Sequence, residues 1–286
     1  MRRDTILMGA ANFGPGAVTI WDGFRAWFIK KGLPFEYILY NTYDRQISEL
    51  LLGHIDVAWN DPGGWIRSQR TAQAEGKKAE ALIMRDVDFD VASVLAVRSD
   101  SDFKSLADLK GATIAVGNPN SVESTMLPVL AMKEAGLEPA KDYKLLVCGS
   151  SNNGYCPWIM DGEAAAARAV IDGKADAAGL SEANYEGFGN DGTFTANEMR
   201  VLKHTPKYDH CNLTYLESPH SAPRELIDRM TELFLEMSYD DPELQPFMEL
   251  EYVKQWKPAR ETHYGSIDRA WDFTDSLAGD ILKPNV

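Results

Sequence analysis

The sequence lacks most of what would tie it to a disulfide framework, a membrane or nucleic acid. It has 3 cysteines in 286 residues, Cys148, Cys156 and Cys211. An odd count without metal-ligand spacing argues against a disulfide scaffold or zinc ribbon and reads as buried thiols; one reactive thiol near a cleft is the alternative. Basic residues are outnumbered, 29 Lys and Arg against 43 Asp and Glu, for a formal charge of −14. No basic stripe offers a nucleic-acid surface, and the charge opposes binding to anionic membranes. No apolar run approaches the ~18 residues that a membrane-spanning helix needs. Arg2 and Arg3 precede an apolar stretch, 6–11, that Asn12 and Gly14 interrupt and that is too short for a signal peptide. The expected location is therefore cytoplasmic if Met1 is the native start, and periplasmic if a signal peptide has been trimmed. There is no HExxH, no phosphate-binding loop and no dinucleotide fingerprint, and the 5 histidines do not cluster in sequence. Neither a metal nor a cofactor is expected.

What is present is organised around 105–137 (SLADLKGATIAVGNPNSVESTMLPVLAMKEAGL). The run 112–116 is a short β-prone strand between glycines, and Gly117-Asn118-Pro119-Asn120 breaks it. From Val122 the apolar residues Met126, Val129, Leu130 and Met132 follow helical spacing, with Ser121 or Asn120 as N-cap and Gly136 as the stop. The unit aims the amide-rich start of a helix beyond the carboxyl edge of a sheet, where ligands and especially anions bind.

Strand and helix alternate on both sides of that unit. Strands are expected at 5–10, 35–40, 54–59, 79–85, 91–97, 143–148, 175–180 and 199–204. A helix carrying Trp21, Phe24, Trp27 and Phe28 presents a core stripe, and others run over 43–52, from Trp65, over 163–171 and over 223–237. The polar loop 149–158 is expected to border a cleft. The pattern predicts an α/β protein of parallel βαβ units in two Rossmann-like lobes. Crossings at 91–97 and 199–204 divide it into lobe 1, 1–96 plus 206–286, and lobe 2, 97–205.

Four segments carry a family likeness: YDRQISELLLGHIDVAWNDPGGW at 43–65, the stretch 93–136, the helix EAAAARAVIDGKADAAGL, and HTPKYDHCNL. They resemble, in order, the phosphonate-binding subfamily of type II periplasmic solute-binding proteins of ABC transporters. The resemblance implies two lobes joined by crossing strands and closing on a small molecule, with an ABC permease as possible partner. Its site is matched unevenly. Where the family has a hydroxyl-rich run holding phosphonate oxygens, this chain reads Ser121-Val122-Glu123-Ser124-Thr125. Glu163 stands where a histidine is common, and Ser181, beside Glu182, replaces an aspartate.

Like charges a few ångströms apart repel by about 1 kcal/mol in water and several-fold more in a closed site. A dianionic phosphonate beside two ionised glutamates is therefore disfavoured. Either the glutamates are protonated, or the ligand is neutral or cationic, or they act as acid and base. Glu123 and Glu163 each have a plain alternative, as acids stabilised in a first helical turn. The remaining candidate contacts are Asn12, Tyr43, Asn60, Trp65 and Arg85. Tyr43 matches a ligand-facing family tyrosine; Asn60 follows a strand end; Asp61 reads as a turn residue. Trp65 either walls the site or packs inside, and Arg85 pairs with a ligand carboxylate, with Glu123 or within the fold. His204 reads as a satisfied buried histidine. The primary expectation is a solute-binding protein that closes about a hinge. The alternative is a cofactor-independent lyase or decarboxylase using Glu123 and Glu163, a choice that fold analogy does not decide.

Overall fold

A computed structural model describes residues 3–12, 14, 16–149, 159–195, 197–277, 279 and 281–282, and the side chains of 159–161 are not among those described. The loop 150–158, with Cys156, lies outside the described residues, so its expected place beside a cleft is not addressed. The chain divides into two units. The first holds the described residues up to Asp90 together with Asp209–His263; the second holds those from Val91 to Tyr208 and from Tyr264 onward.

The first unit opens with β1 (Ile6–Ala11), α1 (Gly16–Lys30), β2 (Phe35–Tyr40), α2 (Tyr43–Leu51), β3 (Val57–Asn60), α3 (Pro62–Ala74), β4 (Ala79–Ala81) and β5 (Ile83–Arg85). The second adds β6 (Ser93–Arg98), β7 (Thr113–Val116), a π-helical turn (Val122–Met126) running into α4 (Leu127–Glu134), β8 (Lys144–Val147), α5 (Ile159–Ile171), β9 (Ala177–Ser181), α6 (Glu182–Asp191) and β10 (Met199–His204). The chain returns to the first for β11 (Asn212–Leu216), α7 (Arg224–Glu236), α8 (Gln245–Leu250) and β12 (Trp256–Pro258), and closes in the second with α9 (Gly265–Ser276).

Each unit is built on a five-stranded sheet, β2-β1-β3-β11-β4 in the first and β10-β6-β9-β7-β8 in the second. Three strands run parallel in each: β2, β1 and β3, and β8, β7 and β9. The next strand is antiparallel in both, β11 against β3 and β6 against β9. The two sheets therefore share one topology. Their cores differ. The aromatic stripe of α1 packs into the first unit's core with Phe35, Phe234 and Trp256. Ring centroids lie 4.9 Å apart for Phe28–Phe234 and for Phe234–Trp256, in edge-on geometry favourable beyond area burial. The second unit packs smaller residues on both sheet faces, Val94, Ala96, Ala166, Ala167 and Val170 on one and Val97, Ile114, Val116, Val129 and Met132 on the other.

Several expectations are corrected. The stretch 79–85 is two strands, because the backbone leaves the main sheet at Leu82 and β5 pairs with β12 instead. The segment 199–204 is the edge strand β10, paired with β6, and the passage between units falls at 208/209. Residues after 263 belong with the second unit rather than with lobe 1: Phe273 and Leu277 of this tail pack on its core, and Arg269 pairs with Glu134. Helices α6, α8 and α9 and strands β11 and β12 are not among the elements expected from the sequence.

Candidate functional site

The carboxyl ends of β7 and β9 emerge side by side, since the two strands pair in parallel. After β7 the chain turns through Gly117 and Asn118, and Ser121 caps the next helix by accepting a hydrogen bond from the Ser124 amide at 3.1 Å. The first helical turn is widened. The Met126 amide donates to the Ser121 carbonyl and the Leu127 amide to that of Val122, each five residues back. Such π-turns frequently accompany functional sites. Here Ser121, Glu123, Ser124 and Thr125 are all buried.

Glu123 accepts from the Ser121 hydroxyl at 3.0 Å, and Thr125 donates to the Asn118 carbonyl at 2.8 Å. The Ser124 hydroxyl has no hydrogen-bond partner among the described residues. It is fenced by close backbone. A methyl on Gly117 would lie 2.3 Å from Ser124 Oγ, and one on Gly179 would lie 2.5 Å from the Ser124 carbonyl oxygen. Glycine at both positions lets β7, β9 and the π-turn close on one another.

Glu163 enters the same region from α5, and the Gly117 methyl would also meet its backbone nitrogen, at 3.6 Å. The Glu163 carboxyl is fully buried. Its Oε2 accepts three hydrogen bonds, from the Ser181 amide at 2.9 Å, the Ser181 hydroxyl at 3.2 Å and Asn184 Nδ2 at 3.1 Å. Its Oε1 accepts none from the described residues. Burial pushes this carboxyl up to about 7; the Ser181 and Asn184 donors hold it down, and the negative charge of Glu123 adds to the rise. Ser181 also caps α6 by accepting from the Asn184 amide at 3.1 Å. The edge thus gathers Ser121, Glu123, Ser124, Thr125, Glu163 and Ser181, six of the residues singled out from sequence.

The first unit's carboxyl edge is arranged differently. Asn12 is half-buried and accepts from the Gly14 amide at 3.2 Å, while Tyr43 is half-buried at the start of α2. Asn60 departs from its expected role as a polar anchor for a ligand. It is fully buried, takes a bond from Gln46 Nε2 at 2.9 Å and donates to Thr214 Oγ1 at 2.9 Å. Trp65 likewise packs inside, with no exposed surface. Asp61 caps α3, accepting from the Gly64 amide at 2.6 Å.

Arg85 is committed within its own unit rather than to Glu123. Its Nε and Nη2 grip the two Asp88 oxygens at 2.7 and 2.8 Å, and its Nη1 reaches the Glu251 carbonyl at 2.9 Å. The guanidinium stacks over Trp59 at 5.5 Å. Burial opposes the Asp88 charge, but Arg85 more than compensates and holds that carboxyl well below its usual range. Glu251, which shares Arg85 with Asp88, is pushed up to about 7 by burial. His210 Nδ1 lies 3.3 Å from Asp88 and 3.0 Å from the Cys211 thiol, and a second His-acid group joins Asp90, Asp209 and His263. Sequence spacing did not reveal either group. In each an arginine, Arg85 or Arg260, already supplies the positive charge that a metal would bring. His204 is exposed rather than buried, pairing with Glu182 at 3.1 Å. Burial raises the Cys148 and Cys211 thiols, which disfavours their reactive thiolate forms.

Two α/β units with this strand order, the first completed by β11 returning from beyond β10, define the type II periplasmic-binding-protein fold. Residues 17–264 match the family described as ABC transporter, phosphonate, periplasmic substrate-binding protein, and the chain belongs to that family. Solved structures share the architecture. PhnD1 from Prochlorococcus marinus (MIT 9301), in complex with methylphosphonate, is similar at TM-score 0.66 and 16% identity, over 96% of this chain and 99% of that one. XAC2383 from Xanthomonas citri, bound to ATP, is similar at TM-score 0.73 and 15% identity, over 98% and 100%. The periplasmic aliphatic sulphonate binding protein SsuA from Escherichia coli gives TM-score 0.59 and 16% identity over 95% and 86%. At such identities the likeness to each is one of fold. None of these comparisons supports the lyase or decarboxylase alternative. No helix among the described residues is long and apolar enough to cross a membrane.

Proposed function

We propose that this chain is the solute-capturing component of an ABC importer, working in the periplasm with a permease partner, and that its ligand is not a phosphonate. Family membership supports the transport role and the periplasmic setting. The ligand reading rests on the second unit's edge, where Ser121, Glu123, Ser124, Thr125, Glu163 and Ser181 are the proposed contacts; Asn12 and Tyr43 are the proposed contacts on the first unit. One observation carries it: Glu163 is buried with an oxygen that accepts nothing from the described residues, beside a second buried glutamate. A buried carboxylate pair repels an approaching dianion far more strongly than hydroxyls would, because low dielectric magnifies like-charge repulsion. Neutral donors or a cation meet the opposite response.

The test is isothermal titration of methylphosphonate and inorganic phosphate against a panel of amines, zwitterionic amino acids and polyols at pH 8. The anions are expected to give no heat and no thermal stabilisation. A member of the panel is expected to bind, with affinity reduced at least ~10-fold in Glu163→Gln, as loss of a charge-assisted contact implies. Tight methylphosphonate binding at pH 8, undiminished relative to pH 6, rejects the reading.

A further inference from the structure

We infer that the second unit's edge is a seat for a primary ammonium group, the head of an amine-bearing small molecule; this rests on the ligand reading above. An ammonium carries three N–H donors and one positive charge. The edge offers two buried acceptors without partners among the described residues, Glu163 Oε1 and Ser124 Oγ, together with the charge of Glu123. Both acceptor residues border Gly117, where a methyl group would meet the Ser124 hydroxyl and the Glu163 backbone nitrogen.

The division of labour on Glu163 selects among cations. Its Oε2 is already saturated by Ser181 and Asn184, leaving a single oxygen to offer. A guanidinium binds best as a planar fork on two free carboxylate oxygens, so a one-oxygen site favours the point charge of an ammonium. Quaternary ammonium groups have no N–H and are held on aromatic faces, whereas this edge is built of carboxylates and hydroxyls. Calcium takes six to eight oxygens, three to four times what the two free acceptors supply. Both neutral groups beside Glu163, Ser181 and Asn184, donate to it, and Glu123 is the charged group acting on it.

The experiment follows the side-chain carboxyl of Glu163 by carbon-13 NMR, assigned by its loss in Glu163→Gln, in methylammonium, tetramethylammonium, methylguanidinium or sodium chloride at matched ionic strength. Methylammonium is expected to lower the Glu163 titration midpoint by about one unit, as an opposite charge within hydrogen-bond range does. Sodium and tetramethylammonium are expected to leave it in place, and Ser124→Ala to shrink the methylammonium effect. An equal shift with tetramethylammonium, or a larger one with methylguanidinium, overturns the ammonium seat. No shift from any cation, while another small molecule binds in a Glu163-dependent way, overturns the ammonium head and leaves the binding site standing. No cation shift together with methylphosphonate binding at pH 8 overturns both.

Discussion

The two units repeat one plan and finish it with different chemistry. In each, a helix following the second strand sends a polar side chain to the carboxyl end of the third: Gln46 from α2 to β3, Glu163 from α5 to β9. The Gln46 amide donates to the Trp59 carbonyl at 2.8 Å and to Asn60, and Asn60 passes the chain of bonds to Thr214. Glu163 does the reverse, accepting from the backbone and side chain of Ser181. Each leaves one oxygen unpartnered among the described residues, but in the first unit it is a neutral amide oxygen and in the second a carboxyl oxygen. The same scaffold position thus serves as an internal brace on one side and as charge held ready on the other. The first unit does bury charge, but it balances it internally, Arg85 between Asp88 and Glu251.

The largest effect should come from unbalancing that internal charge. Arg85→Ala leaves Asp88 and Glu251 without their cation and should cost about 3–5 kcal/mol, the range for breaking a buried ion pair. Because two units need not unfold together, hydrogen exchange at β3 and β9 is the proper readout, with protection lost in β3 and kept in β9.

Next is the exchange of the equivalent residues. Gln46→Glu sets a carboxylate against two acceptors, the Trp59 carbonyl and the Asn60 oxygen, and should destabilise the first unit by about 3 kcal/mol. Glu163→Gln should stabilise the ligand-free second unit. The Glu163 carboxyl titrates near 7 when folded, against an ordinary value of 4.5. Below pH ~4.5 it is protonated folded or unfolded and contributes nothing to the pH dependence. As pH rises from ~4.5 to 7 the unfolded chain loses the proton first and folding is penalised, by about 3 kcal/mol once the group is ionised in both states. The variant should therefore gain stability over that window and match the parent in acid, read by β9 exchange from pH 4 to 8.

A smaller effect sharpens the picture. Ser181→Ala removes the α6 cap and one donor to Glu163, and should cost about 1 kcal/mol while raising the Glu163 midpoint further. An unchanged midpoint would mean that Ser181 serves α6 alone.

How much of this was legible beforehand varies by residue. The alternation of strands and helices and the Trp21-Phe24-Trp27-Phe28 stripe could be read directly, because local periodicity records which face is buried. The cap at Ser121 was also visible, but not the π-turn after it, since widening one turn by a residue leaves the apolar spacing nearly unchanged. From sequence Asn60 looks like a rim residue, and Trp65 like either a wall of the site or a core residue. Only Gln46, Thr214 and the core around α3 show that they face inward. The pairing of Asp88 with His210 spans all five strands of the second unit's sheet, and no spacing rule reaches that far.

By itself the sequence determined the α/β class, the alternating elements and the substitution of acid for the hydroxyls and imidazole that the family likeness led one to expect. The tertiary structure decided that Glu163 is buried, that among the described residues only one of its oxygens is satisfied, and that Arg85 answers to Asp88 rather than to Glu123. The physical reason is that periodicity is a property of neighbouring residues, whereas a carboxyl's ionisation and partners depend on burial by segments far away in the chain.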